Sequence, residues 1–79
     1  MLTDYISQKM AQARYKILDD GSYFGGIPGL QGVWASEKTL EKCRETLREV
    51  LEEWLILKLR DGNPIPDFPP VKIKQKVYA

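Results

Sequence analysis

Hydrophobic residues recur with different periods along this chain, and each period predicts a different element. Near the start, Leu2, Tyr5, Ile6, Met10 and Ala13 fall on one helical face, and Thr3 or Asp4 can cap the first turn. The pattern predicts a helix over residues 4–12, docked on the rest of the chain because a helix this short is marginal alone. In "ARYKIL" the period drops to two. Ala13, Tyr15 and Ile17 alternate with Arg14 and Lys16, as in a half-buried strand. "DDGS", Asp19 to Ser22, is hairpin chemistry, since Asp-Gly supplies the positive φ angles of a tight turn. "YFGGI" returns as a second strand. Pro28, with its fixed φ, and Gly29, which tolerates a left-handed conformation, predict a type II turn in "IPGLQG". "VWAS" follows as a third strand. Gly25 and Gly26 inside a strand predict a bulge that lets a helix pack down, or else a backbone closely approached by another group.

The period then becomes helical for six turns. Leu40, Cys43, Leu47, Val50, Trp54 and Leu57 recur at alternating three- and four-residue spacing, with Leu51 and Leu55 widening the stripe. Thr39 is a good N-cap, and Gly62 is a ready C-cap before Pro64 and Pro66 stop the chain. The predicted helix, 39–60, would be about 33 Å long. Its other side is charged, with Glu41–Arg44 and Arg48–Glu52 at helix-neighbour spacing. After the bend "NPIPDFPP", the period returns to two. Val71, Ile73 and Val77 oppose Lys72, Lys74 and Lys76, which predicts a strand over 71–78 whose lysines guard an edge or open face. The expected architecture is α+β, in the order α-β-β-β-α-β. A three-stranded antiparallel sheet would carry the long helix on one face, in a single domain spanning 1–79.

Composition narrows the function classes. Seventy-nine residues hold a small core, often completed by oligomerisation, so a homodimer or larger assembly is expected. Twelve Lys and Arg against 11 Asp and Glu leave a net charge of +1, with no overall field to draw nucleic acid or a membrane. One cysteine precludes an internal disulfide. The longest strongly apolar run is far short of the roughly 20 residues that span a bilayer. No basic start followed by an apolar block marks a signal peptide. A cytoplasmic location is the expectation.

Candidate chemistry is sparse. There is no histidine, the commonest general base and metal ligand. Cys43 lies on the apolar stripe and reads as a buried structural thiol. Asp19 and Asp20 read as turn residues, although with Glu37 they could form a metal-dependent nuclease site. "GGIPGLQG" has neither of the glycine patterns that cradle phosphate. No catalytic residue, metal site or cofactor is expected.

The series Tyr23–Phe24, Ile27–Pro28, Leu30, Gly32, Thr39–Leu40–Glu41, Asp61–Gly62 and Ile65–Pro66 resembles the HicB-type antitoxin domain. The likeness covers residues 14–66 and leaves the N-terminal helix outside its core pattern. It departs from that pattern at Gly26, where an acidic residue is common, and at Val33, where a cysteine is common. Cys43 replaces an alanine, and Glu37–Lys38 replaces Gly-Asp before Thr39. The resemblance implies a partial RNase H-like fold without nuclease activity. It also implies a non-enzymatic antitoxin of a type II toxin–antitoxin system, neutralising a small basic messenger-RNA-cleaving toxin of the HicA type. Full-length relatives append a DNA-binding segment. The sequence stops at Ala79 and is expected to lack it, so promoter DNA is not an expected partner.

The expected partner contacts are Phe24, Pro28, Gly29, Leu30 and Trp34 on the sheet and turn, with Glu45, Glu49, Glu52 and Glu53 on the acidic side of the long helix. The alternative is a stand-alone nucleic-acid binder using Lys72, Lys74 and Lys76, or an orphan structural domain.

Overall fold

A computed structural model describes residues 2–67. The elements are α1 (Leu2–Ala11), β1 (Arg14–Ile17), β2 (Tyr23–Gly26), β3 (Trp34–Glu37) and α2 (Leu40–Asp61). The strands form one antiparallel sheet in the order β1-β2-β3. The expected α+β class and element order hold over these residues. The strand expected at 71–78, with Lys72, Lys74 and Lys76, lies outside them.

Register sorts the side chains. Residues paired directly across an antiparallel sheet share a face, and faces alternate along each strand. Tyr15, Gly25 and Ala35 form one row. Ala35 is buried beneath α2, so this is the covered face. Arg14, Gly26 and Trp34 form the row on one side of this one, and Lys16, Phe24 and Ser36 the row on the other, both on the outer face.

The ends of α2 follow their sequence signals. The Thr39 hydroxyl accepts from the Lys42 amide at 3.0 Å. At the other end, the amides of Gly62 and Asn63 donate to the carbonyls of Leu59 and Lys58, the paired bonds of a Schellman motif. The core differs from the expected stripe. Its fully buried line is Cys43, Leu47, Leu51 and Leu55, one residue every four. Val50 and Trp54 are only partly buried, while Leu40 and Leu57 are exposed. The reason is length. A four-residue strand spans about 13 Å, against about 33 Å for α2. The helix therefore seats one ridge on β2 and β3 and leaves Ile56, Leu57 and Leu59 in solvent near its end.

Two other expectations fail for related reasons. Ile17, read as a buried strand position, is 66% exposed, because α2 crosses β2 and β3 and does not reach the edge strand β1. Nor is there a bulge at Gly25 and Gly26, since the register runs unbroken through both. What Gly25 provides is space. A β-carbon there would lie 2.7 Å from the Tyr15 ring and 3.2 Å from the Cys43 sulfur. Tyr15 reaches inward from β1 across this gap and closes the edge that the helix leaves open. The first hairpin also departs from a two-residue turn. The Leu18 carbonyl accepts from the Gly21 amide and the Ser22 carbonyl from the Leu18 amide, with Gly21 at φ 86°. This is a three-residue loop with a left-handed glycine at its end.

The docking of α1 has a polar half that its apolar pattern does not convey. Tyr5 and Ile6 enter the core, as expected. The Tyr5 hydroxyl donates to the Pro66 carbonyl at 2.8 Å. Lys9, only 3% exposed, donates to the Asp67 carboxylate at 2.8 Å. The first helix is thereby tied to the segment that follows α2.

Two stability outcomes follow. Gly25→Ala must displace the Tyr15 ring and costs about 1–3 kcal/mol, whereas Gly26→Ala stays within about 0.5 kcal/mol in urea denaturation. At Gly26 the nearest atom to an added β-carbon is 3.7 Å away, an ordinary contact. Asp67→Ala leaves the buried Lys9 ammonium without its carboxylate and destabilises by about 1–3 kcal/mol in the same assay.

Candidate interaction site

Two surfaces carry the residues that sequence reading singled out, and they face away from each other. On the outer face of the sheet, Phe24 and Trp34 sit diagonally across β2 and β3. Their rings stack, with centroids 5.8 Å apart and planes at 22°. Trp34 is 55% exposed. Lys16 lies over the other ring, with its Nζ 5.6 Å from the Phe24 centroid. Pro28 borders the same open groove, whose volume is about 500 Å³ and whose lining includes Arg14 and Lys16 but no acidic side chain.

The Pro28 border is held by two successive tight turns. The Ile27 carbonyl accepts from the Leu30 amide at 3.1 Å, and Gly29 has the φ of 85° that a type II turn requires at its third position. The Leu30 carbonyl accepts from the Val33 amide in turn, with Gly32 at φ 88°. Pro28 and Gly29 are thus exposed at the tip. Leu30 is only 4% exposed and belongs to the core, reaching no further than the floor of the groove.

The second surface is the side of α2 turned away from the sheet. Glu45, Glu49 and Glu53 are exposed there, while Glu52 is half-buried and accepts from the Arg48 guanidinium at 3.3 Å. Glu41 belongs with the exposed set and was not among the residues expected. Glu41, Glu45, Glu49 and Glu53 stand four apart, which makes a continuous ridge of carboxylates on a helix. That spacing is readable in the sequence once the ridge, and not the general charge of the face, is sought. Lys42 offsets Glu45 at 3.3 Å. Glu49 and Glu53 make no ion pair among the described residues. The structure therefore joins Phe24, Pro28, Gly29 and Trp34 on one surface, gathers the glutamates on another, and sets the sheet between them.

Asp20, Glu37 and Cys43 are occupied structurally. Asp20 accepts from both the amide and the hydroxyl of Ser22, at 2.9 and 2.6 Å, and these bonds hold its carboxyl below its ordinary pKa. Glu37 accepts from the Thr46 hydroxyl at 2.9 Å. Among the described residues no group of three or more His, Cys, Asp or Glu could hold a metal ion. The Cys43 thiol is fully buried, 3.5 Å from the Ala35 carbonyl and 3.7 Å from that of Tyr23. Burial pushes its pKa up, and the nearby Glu37 carboxylate adds to the shift. Burial likewise raises Tyr15, against an opposing pull from the Arg44 guanidinium.

The profile of the UPF0150-like family matches residues 4–66. The chain belongs to that family. The UPF0150-like match begins inside α1, so the first helix is part of the family pattern, contrary to the expectation that it lay outside. The chain is also similar, at 38% identity and a TM-score of 0.78, to TTHA0281 from Thermus thermophilus, known from its crystal structure. The likeness covers 99% of this chain and 95% of that one. No protein of curated function matches. Among the described residues no helix of this UPF0150-like chain is long and apolar enough to cross a membrane.

The thiol gives a pH signature. The folded Cys43 keeps its proton to higher pH than the unfolded one, whose ordinary pKa is 9.0. Its contribution is fully present below that value and is lost as pH rises through the folded pKa. Thermal melts between about pH 8 and pH 11 should show a melting temperature that falls with pH, and falls less steeply in Cys43→Ala.

Proposed function

We propose that this protein is a HicB-like antitoxin, a non-enzymatic module that binds and neutralises a small basic toxin of the HicA type. Membership of the UPF0150-like family supports this reading. The observation that carries the placement is the carboxylate ridge of α2. Like charges four residues apart on a helix repel by roughly 0.2–0.5 kcal/mol per pair. Lys42 offsets Glu45 in the row Glu41–Glu45–Glu49–Glu53, but Glu49 and Glu53 have no ion pair among the described residues, so a cationic partner laid along them relieves a repulsion that the free protein carries. The outer sheet face does not suit the same partner, because Arg14 and Lys16 flank its aromatic pair. In this reading the toxin lies along the helix rather than on the sheet.

The test is a pull-down from lysate of the native organism, with bound proteins identified by mass spectrometry. The expected prey is one small basic protein at stoichiometric level, whose expression alone arrests growth and whose effect this chain relieves. Glu49→Lys with Glu53→Lys should slow its association roughly tenfold at low salt and flatten the salt dependence of the rate. Recovery of no such protein, or a partner indifferent to the charge reversal, overturns the proposal.

A further inference from the structure

The outer sheet face remains, and its chemistry differs from that of the acidic ridge. A Trp more than half exposed is stacked on a Phe, in an open groove whose charged lining residues are both cationic. The strand register fixes the arrangement: Arg14 and Trp34 lie at two ends of one cross-strand row, and Lys16 and Phe24 are direct neighbours in the next. Lys16 thus sits at the Phe24 ring, while Arg14 faces Trp34 across Gly26, and both cations line the β1 side of the aromatic pair.

From this juxtaposition we infer that the outer face of the sheet is a binding site for single-stranded nucleic acid. A base stacks on the exposed face of Trp34, which Phe24 backs from the other side, and the adjoining phosphates meet Arg14 and Lys16. Stacking platforms edged by cations are how open sheet faces hold unpaired strands, because every base offers a π-face and every nucleotide a negative charge. A duplex does not fit this chemistry, since its bases are already stacked on one another. A second copy of the chain fits poorly as well. A two-fold contact would set this patch against itself, bringing Arg14 and Lys16 of both copies together with no acidic side chain in the groove to offset them. Opposite charge and flat apolar rings together favour an anionic aromatic polymer. The site is separate from the toxin-binding ridge and does not depend on it.

The test is fluorescence anisotropy with the full chain and a labelled oligouridylate of about ten nucleotides, within the usual site size for such platforms. Saturable binding at low salt is expected, with little binding of a duplex of equal length. Trp34→Ala should weaken binding about tenfold or more while leaving its salt dependence unchanged. Arg14→Gln with Lys16→Gln should lower the salt slope by about 1.4. Circular dichroism and melting of each variant establish that the fold persists, and Trp34→Phe should keep part of the affinity lost in Trp34→Ala.

Several results would overturn the site. One is no saturable binding of the oligonucleotide. Another is affinity that survives Trp34→Ala but is lost on changing Lys72, Lys74 and Lys76 to Gln. A third is competition by polyglutamate as effective as that by unlabelled oligonucleotide. The last is a concentration-dependent dimer in sedimentation that Trp34→Ala abolishes, which would show that a second copy covers the face.

Discussion

The closeness with which α2 approaches β2 governs much of this small domain. At Gly25 the sheet presents bare backbone, and the Tyr15 ring and the Cys43 sulfur close over it. A side chain at that point would have to lift the helix, move the ring, or both. With the helix seated there, its next turns bring Leu47, Leu51 and Leu55 into line and bury them completely. Tyr15 is part of the same arrangement. It comes from the edge strand that α2 does not cover, and lies across the glycine to seal the core from the side. A short sheet and a single long helix thus enclose most of an apolar interior that Tyr5 and Ile6 of α1 complete.

That economy has a cost on the opposite side of the sheet. With α2 seated on the covered face and α1 packed on α2, the described elements leave the outer face open, with Trp34 and Phe24 among its side chains. An exposed indole stacked on a phenyl ring is an unusual use of surface for a chain with so little apolar material to spare. The charge distribution sharpens the contrast. Carboxylates follow one ridge of the helix, while Arg14 and Lys16 flank the aromatic pair. The net charge of +1 conceals two surfaces of opposite character, separated by the thickness of the sheet and its helix.

Most of the architecture could be read from the chain, because each element announces itself locally. Thr39 and Gly62 bound α2, Pro28–Gly29 marks a turn, and alternation in "ARYKIL" marks a strand. The failures arose where a residue's fate depends on how far a neighbouring element extends. Ile17 has a buried pattern but lies beyond the reach of α2. Leu57 continues an apolar stripe past the end of the sheet. Lys9 reads as a solvent-facing charge, and only the fold brings Asp67, 58 residues away, within reach of it. Among the proposed contacts, the exposure of Pro28 and Gly29 was legible from turn chemistry. The burial of Leu30, one residue later, was not, because it depends on which way the second turn carries the chain. The division of sheet and helix residues into opposing surfaces is a tertiary fact, invisible to spacing alone.

The clasp between α1 and the end of α2 bears on the order in which the chain assembles. Tyr5 and Lys9 leave the ribosome about sixty positions before their partners Pro66 and Asp67. The hairpin and the seat of α2 on β2 and β3 need only the residues between. Among the described elements, α1 is made before the others, yet its polar contacts close last. Until then it is a short amphipathic segment with Tyr5 and Ile6 unburied, and the nascent chain passes through an interval in which its sheet and long helix can form while α1 waits.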